Sequence, residues 1–108
     1  MVVHDLKWSA SEKKIARRAY EAALESALAK IMAEFKAKAA AAATPSEVWA
    51  IEGYLRQQRQ QIGETFDFRY SRLPLVFASL ICEGHLDVAR LSGLSEEKLE
   101  IIRHLLSR

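Results

Sequence analysis

From Ser9 to Ala43 the chain runs without one glycine or proline, and no other feature restricts its fold so strongly. Ser9 followed by Glu12 is a capping-box pair, which satisfies orphan N–H groups at a helix start. Beyond it Ile15, Tyr20, Leu24, Leu28, Ile31, Met32 and Phe35 form an apolar stripe flanked by lysines and glutamates, and the run Ala39 to Ala43 is a strong helix former. Roughly thirty residues rising 1.5 Å each make a rod of about 50 Å. A compact domain of comparable size has a radius of gyration of only about 13 Å. Such a helix overhangs its own domain and leaves its stripe in need of cover. Two-fold pairing lets one patch serve both subunits, so a homodimer is expected.

The next segment turns the chain back. Thr44 is placed to cap, Pro45 suits the first helical position, and Glu47 stands where the reciprocal arm of a capping box belongs. Val48, Ile51, Leu55, Ile62 and Phe66 then follow one helix face, while Trp49 leads a second, mostly polar face through Glu52, Gly53, Arg56, Arg59 and Gln60. Gly63 is a place where this helix could loosen. Further on, Ser71 is read as the cap of a short helix with Pro74 in its first turn, and Leu75, Val76, Leu80 and Ile81 are spaced for burial. Gly84 sits where a left-handed terminator is wanted. Leu86, Val88, Leu91 and Leu94 fill a short helical turn; Ser95 with Glu96 and Glu97 opens a last helix whose Leu99, Ile102, Leu105 and Leu106 face inward. The expected architecture is all-α: one domain over 1–108, with a long antiparallel hairpin as stalk (9–70) and a small C-terminal helical head (71–108).

Chemistry-bearing motifs are sparse. His4, His85 and His104 lack the paired spacing of a metal site, and the scattered glycines form no phosphate-cradling loop. Cys82, the single cysteine, follows Leu80 and Ile81 and reads as a small buried hydrophobe. No serine has an adjacent histidine base, and the carboxylate pairs Glu47/Glu52 and Glu64/Asp67 look like ordinary helix-surface groups. A non-enzymatic protein without cofactor or metal is expected. The segment from Phe77 to Leu106 could mimic a helix-turn-helix, but Glu96, Glu97 and Glu100 on the would-be reading helix oppose phosphate contacts, and a net charge of +2 gives no electrostatic footprint for nucleic acid. No run approaches the roughly 20 apolar residues that span a bilayer, and the first twenty residues show no apolar leader core. The chain reads as cytoplasmic. On the polar face of the second helix, Trp49, Arg56 and Arg59 are residue types that dominate binding hot spots. Trp49 closing a dimer seam, beside a routine Glu52–Arg56 pair, fits the spacing equally well.

The run from Val48 to Leu94 resembles the fluorescence recovery protein family. Its members share a Trp followed by a Leu-x-x-x-Arg-x-x-Ile helix, an aromatic-Asp-x-Arg-x-Ser junction and a helix closing on Phe-Ala-x-Leu-x-x-Glu-Gly. Here these are Trp49, Leu55, Arg59 and Ile62; Phe66, Asp67, Arg69 and Ser71; and Phe77, Ala78, Leu80, Glu83 and Gly84. Trp8-Ser9 and Arg18-Ala19-Tyr20 extend the likeness over nearly the whole chain. The resemblance implies an all-α dimer that binds the C-terminal domain of the photoactivated orange carotenoid protein, speeds its return to the dark form and promotes its release from the phycobilisome. Trp49 and Arg59 carry over from the family's polar face, and the expected partner-binding or dimer-interface set is Trp49, Glu52, Gly53, Arg56, Arg59, Phe66 and Leu75. The family's polar face has an acid, often preceded by His, between its Trp and Arg; this chain has Glu52 and Gly53 in those two places. A divergent scaffold with another protein partner is the alternative, ahead of a small DNA-binding regulator.

Overall fold

The computed structural model describes residues 6–108, so the reading of His4 lies outside the described residues. Four helices carry the fold: α1 (Ala10–Ala41), α2 (Pro45–Thr65), α3 (Leu73–Cys82) and α4 (Glu96–Leu106), with one 3-10 turn at Val88–Leu91. No strand occurs among the described residues. The helices begin where local chemistry starts them. The Ser9 hydroxyl accepts the Glu12 N–H at 3.2 Å while the Glu12 carboxylate accepts the Ser9 N–H at 3.0 Å, completing the capping box. At α2 only half the box forms. Thr44 Oγ1 accepts the Glu47 N–H at 3.3 Å, but the Glu47 carboxylate takes the Thr44 hydroxyl proton instead of a backbone one. Helix α2 passes Gly63 without interruption.

Antiparallel α1 and α2 make an overhanging hairpin, and the molecule measures 53 × 22 × 22 Å with a radius of gyration of 16.8 Å. The core lies at one end. Leu73, Phe77 and Leu80 of α3, Leu91 of the 3-10 turn and Ile102 of α4 are fully buried, packed on Ala16, Ala19 and Ala23 of α1. Within one subunit the distal stripe of α1 is left uncovered, as the overhang predicts, and the face that docks is one the stripe does not mark. The buried face of α1 is the alanine track; Leu28 (48% exposed), Met32 (56%) and Phe35 (39%) stand in solvent. Small side chains let the head's large residues approach the α1 backbone, so volume comes from the head and closeness from the alanines. The stripe of α2 is likewise only half covered, with no residue of that helix fully buried.

The head corrects three expectations. Helix α3 starts at Leu73 with Arg72 as N-cap and no side-chain capping bond, because Ser71 sits inside the preceding turn. Along α3 the inward positions are Leu73, Val76, Phe77 and Leu80, the i, i+3, i+4, i+7 set of one face. Leu75 and Cys82, seven residues apart, fall on the opposite face, so both are exposed where burial was expected. Val88 is exposed while Leu91, at the other end of the 3-10 turn, is fully buried. Gly84 closes α3 with φ +79°, as its position predicted. Gly93, at φ +105°, takes the Ile15 side chain so closely that a Cβ there would stand 2.6 Å from Ile15 Cδ1. The first turns of α1 are thereby part of the head.

Two devices fasten head to stalk. Lys98, buried although charged, places Nζ 3.1 and 3.2 Å from the Glu12 carboxylate oxygens and also donates to the Lys7 carbonyl. Glu12 additionally accepts the Ser95 N–H at 2.8 Å. Burial pushes the Glu12 carboxyl upward, but the Ser9 and Ser95 N–H groups and the Lys98 ammonium outweigh it and hold the pKa at about 2. The second device is a non-helical strap between α2 and α3. Alternate residues Phe66, Phe68 and Tyr70 turn to α1: Tyr20 meets Phe66 and Phe68 edge-on at 5.4 and 4.9 Å, and Trp8 meets Tyr70 at 5.4 Å. Arg17 stacks 3.8 Å from the Phe68 centroid and Lys13 lies 5.4 Å from that of Tyr70. One α-helical turn between Lys13 and Arg17 rises about 6 Å, close to two residues of extended chain, so the registers match.

Candidate protein interface

Residues of α2 facing away from α1 make the candidate site. Taken at 100° per residue, Val48, Glu52, Leu55 and Arg59 form one outer row, with Trp49, Arg56 and Gly53 beside it. Trp49 is 70% exposed, the largest exposure among the bulky apolar residues described. Next to it an open groove of about 400 Å³ is lined by Val48, Ile51, Glu52, Leu55, Arg56 and Arg59. A second hollow of about 410 Å³ lies at the hairpin tip between Ala42, Pro45 and the Val48 and Trp49 side chains. The ridge therefore offers an aromatic ring and two guanidinium groups around an apolar floor.

The charges on this face are arranged unevenly. Glu52 is ion-paired with Arg56 one turn on, an exposed contact worth about 0.5 kcal/mol. Arg59 has no acidic partner within 4.0 Å among the described residues. Nothing lies within 4 Å of a Cβ placed on Gly53, so a side chain there would stand free in solvent.

Of the seven sequence-derived candidates, Trp49, Glu52, Gly53, Arg56 and Arg59 come together on α2, and two do not join them. Phe66 caps the far end of α2 and belongs to the strap, edge-on to Tyr20. Leu75 lies on the head, 41% exposed, beside a shallow groove that includes Ala78, Cys82 and Leu105. A third apolar surface is the row Leu28, Met32 and Phe35 on the distal half of α1.

Between the hairpin and the head a cleft of about 350 Å³ carries Lys30, Glu34, Gln58, Gln61, Glu83 and His85. Its Glu34 also takes part in a contact between the two stalk helices: the Tyr54 hydroxyl donates to Glu34 at 2.6 Å. That hydrogen bond, with burial second, pushes the phenol up to about 12, and Lys38 sits 4.8 Å from the same ring. The contact is a staple of the hairpin. Among the described residues no group of three His, Cys, Asp or Glu side chains could hold a metal ion, and no helix is long and apolar enough to cross a membrane. What the arrangement can do chemically is bind another macromolecule through exposed aromatic, guanidinium and aliphatic groups.

Comparison with known proteins places the family and the fold. The family described as photoprotection regulator fluorescence recovery protein matches residues 8–106. The Fluorescence recovery protein of Synechocystis sp. PCC 6803 is 28% identical over 98 residues, covering 91% of this chain and 90% of that one. In three dimensions the Fluorescence Recovery Protein of Fremyella diplosiphon superposes with a TM-score of 0.90 at 29% identity, over 94% of this chain and 100% of that one. The Synechocystis structure gives 0.90 at 26% identity with the same coverage. The fold is thus that of the solved relatives, and the chain belongs to the fluorescence recovery protein family.

Proposed function

We propose that the chain works as a cytoplasmic homodimer that binds the C-terminal domain of photoactivated orange carotenoid protein, accelerates its return to the dark-adapted state and promotes its release from the phycobilisome. The observation that carries this reading is an exposed Trp49-Arg56-Arg59 ridge beside an apolar groove in a member of a photoprotection-regulating family. Trp and Arg anchors around a desolvated floor are the residue types that concentrate binding energy. No covalent step is needed. A factor that holds the relaxing conformation more tightly than the active one shifts the population by that difference, and each 1.4 kcal/mol of preference at the barrier is worth about tenfold in rate.

A second reading keeps the scaffold and changes the partner. It rests on Gly53, where the family pattern has an acid, and on Glu52 being committed to Arg56 and not to Arg59. The deciding measurement follows the absorbance decay of light-activated carotenoid photoprotein with increasing amounts of this chain. The first reading expects a shortened lifetime that Arg59→Leu lengthens again. A lifetime unchanged at saturating wild-type protein leaves the second.

A further inference from the structure

Folding assembles a cationic band that is scattered in the sequence. Lys13 and Arg17 of α1 cover the Tyr70 and Phe68 rings of the strap. On the strap itself Arg69 grips Asp67 at 2.8 Å through Nε, and Arg72 Nε lies 3.7 Å from the same carboxylate. Lys14 and Arg18 continue the band on the adjoining face of α1, exposed and without an acid within 4.0 Å among the described residues. Six of the sixteen basic residues therefore meet one of the fourteen acidic ones here, in a chain whose net charge is only +2, which leaves the remainder net acidic. Counted along α1, the band is roughly 30 Å from Trp49.

We infer that this band is a docking face for an acidic protein segment, separate from the α2 ridge and independent of the proposed function. Charge complementarity selects the partner's sign, and the geometry selects its chemistry. Arg17 sits 3.8 Å over the Phe68 centroid with no acid within 4.0 Å among the described residues, which leaves its fork available to a carboxylate, and Arg69 is pre-set by Asp67. A single-stranded nucleic acid would also call for open ring faces on which to stack its bases. Here Arg17 lies over Phe68, Lys13 lies over Tyr70, and those rings pack tilted or T-shaped against Tyr20, Trp8 and each other. Glu21 and Glu25, further along the exposed face that carries Lys14 and Arg18, end the band after about two turns, the footprint of a short segment and not of a long polyanion groove.

The test is fluorescence anisotropy at low salt with a labelled short peptide of alternating Glu and Asp. A Gln/Asn peptide and a thymidine oligonucleotide of equal length serve as comparisons. The acidic peptide should bind, the neutral one should not, and affinity should fall as salt shortens the Debye length. Lys14→Glu with Arg18→Glu should weaken binding by at least about tenfold, while Lys36→Glu on the distal half of α1 should leave it unchanged. Circular dichroism of each variant should match wild type, since these side chains are exposed. No binding of the acidic peptide, equal affinity in the double variant, or equally tight capture of the oligonucleotide each overturns the inference.

Discussion

Glu12 serves two ends of the chain at once. Its carboxylate completes the capping box of α1 and receives the Ser95 N–H and the Lys98 ammonium, 83 and 86 positions away. Buried pairs are weak evidence of stability in themselves, because desolvation offsets much of the attraction; removing one partner is what costs, since the other charge is left uncompensated. Glu12→Gln is therefore expected to lower the unfolding free energy by about 3 kcal/mol at neutral pH, measured by urea titration. The same residue sets an acid limb. Its folded pKa of about 2 lies below the unfolded value of 4.5, so its contribution is fully present above about pH 4.5 and drains away as the pH falls towards 2. In the Gln variant stability should be flatter across that window. Acid limbs of equal slope in both proteins would assign the acid transition to other carboxylates.

Between helices, the strap decides whether the head stays on the stalk. Phe68 contacts Tyr20, Tyr70 and Arg17 together, yet it is only half-buried, so Phe68→Ala should cost about 2 kcal/mol, below the range for a fully buried ring. Near-ultraviolet dichroism should fall while the helical signal persists, and an unchanged aromatic spectrum would show that the rings are not a coupled set. Much of the element level was legible in sequence, because caps and periodicity act over a few residues: Ser9, Thr44 and Ser95 each cap as read, and five of the seven interface candidates share α2. What was not legible depends on distant partners. Large residues advertise a stripe, but the side of α1 that docks is the one thin enough to admit Leu73 and Phe77, and that is alanine. The Glu12–Lys98 pair joins two positions that each look like surface charge. Ser71 and Cys82 were misplaced because the start of α3 is fixed by sinking Leu73 into the core, which turns Leu75 and Cys82 outward. The cationic band is illegible in sequence for the same reason, since its halves lie about fifty residues apart.

At the scale of the whole molecule, cover is uneven along the 53 Å axis. The proximal half of α1 is sheathed by the head and the strap, while the distal half has α2 along one side only. Leu28, Met32 and Phe35, at i, i+4 and i+7, form a continuous apolar row there, and Val48 of α2 is exposed as well. A row of this kind on a rod is self-complementary under a two-fold axis, so a second copy would cover both rows with one contact. The prediction is that the wild-type chain elutes with light-scattering mass twice its 12.2 kDa, and that Met32→Glu returns it to the mass of one chain. Met32 is 56% exposed within its own subunit, so the substitution should leave helix content unchanged and act only between copies, where placing two carboxylates in an apolar seam costs several kcal/mol. The lost mass should therefore appear without lost structure. A wild-type chain already at single-chain mass across the measurable concentration range would remove the dimer from the proposed mechanism, and the apolar row would then be cover awaiting the photoprotein itself.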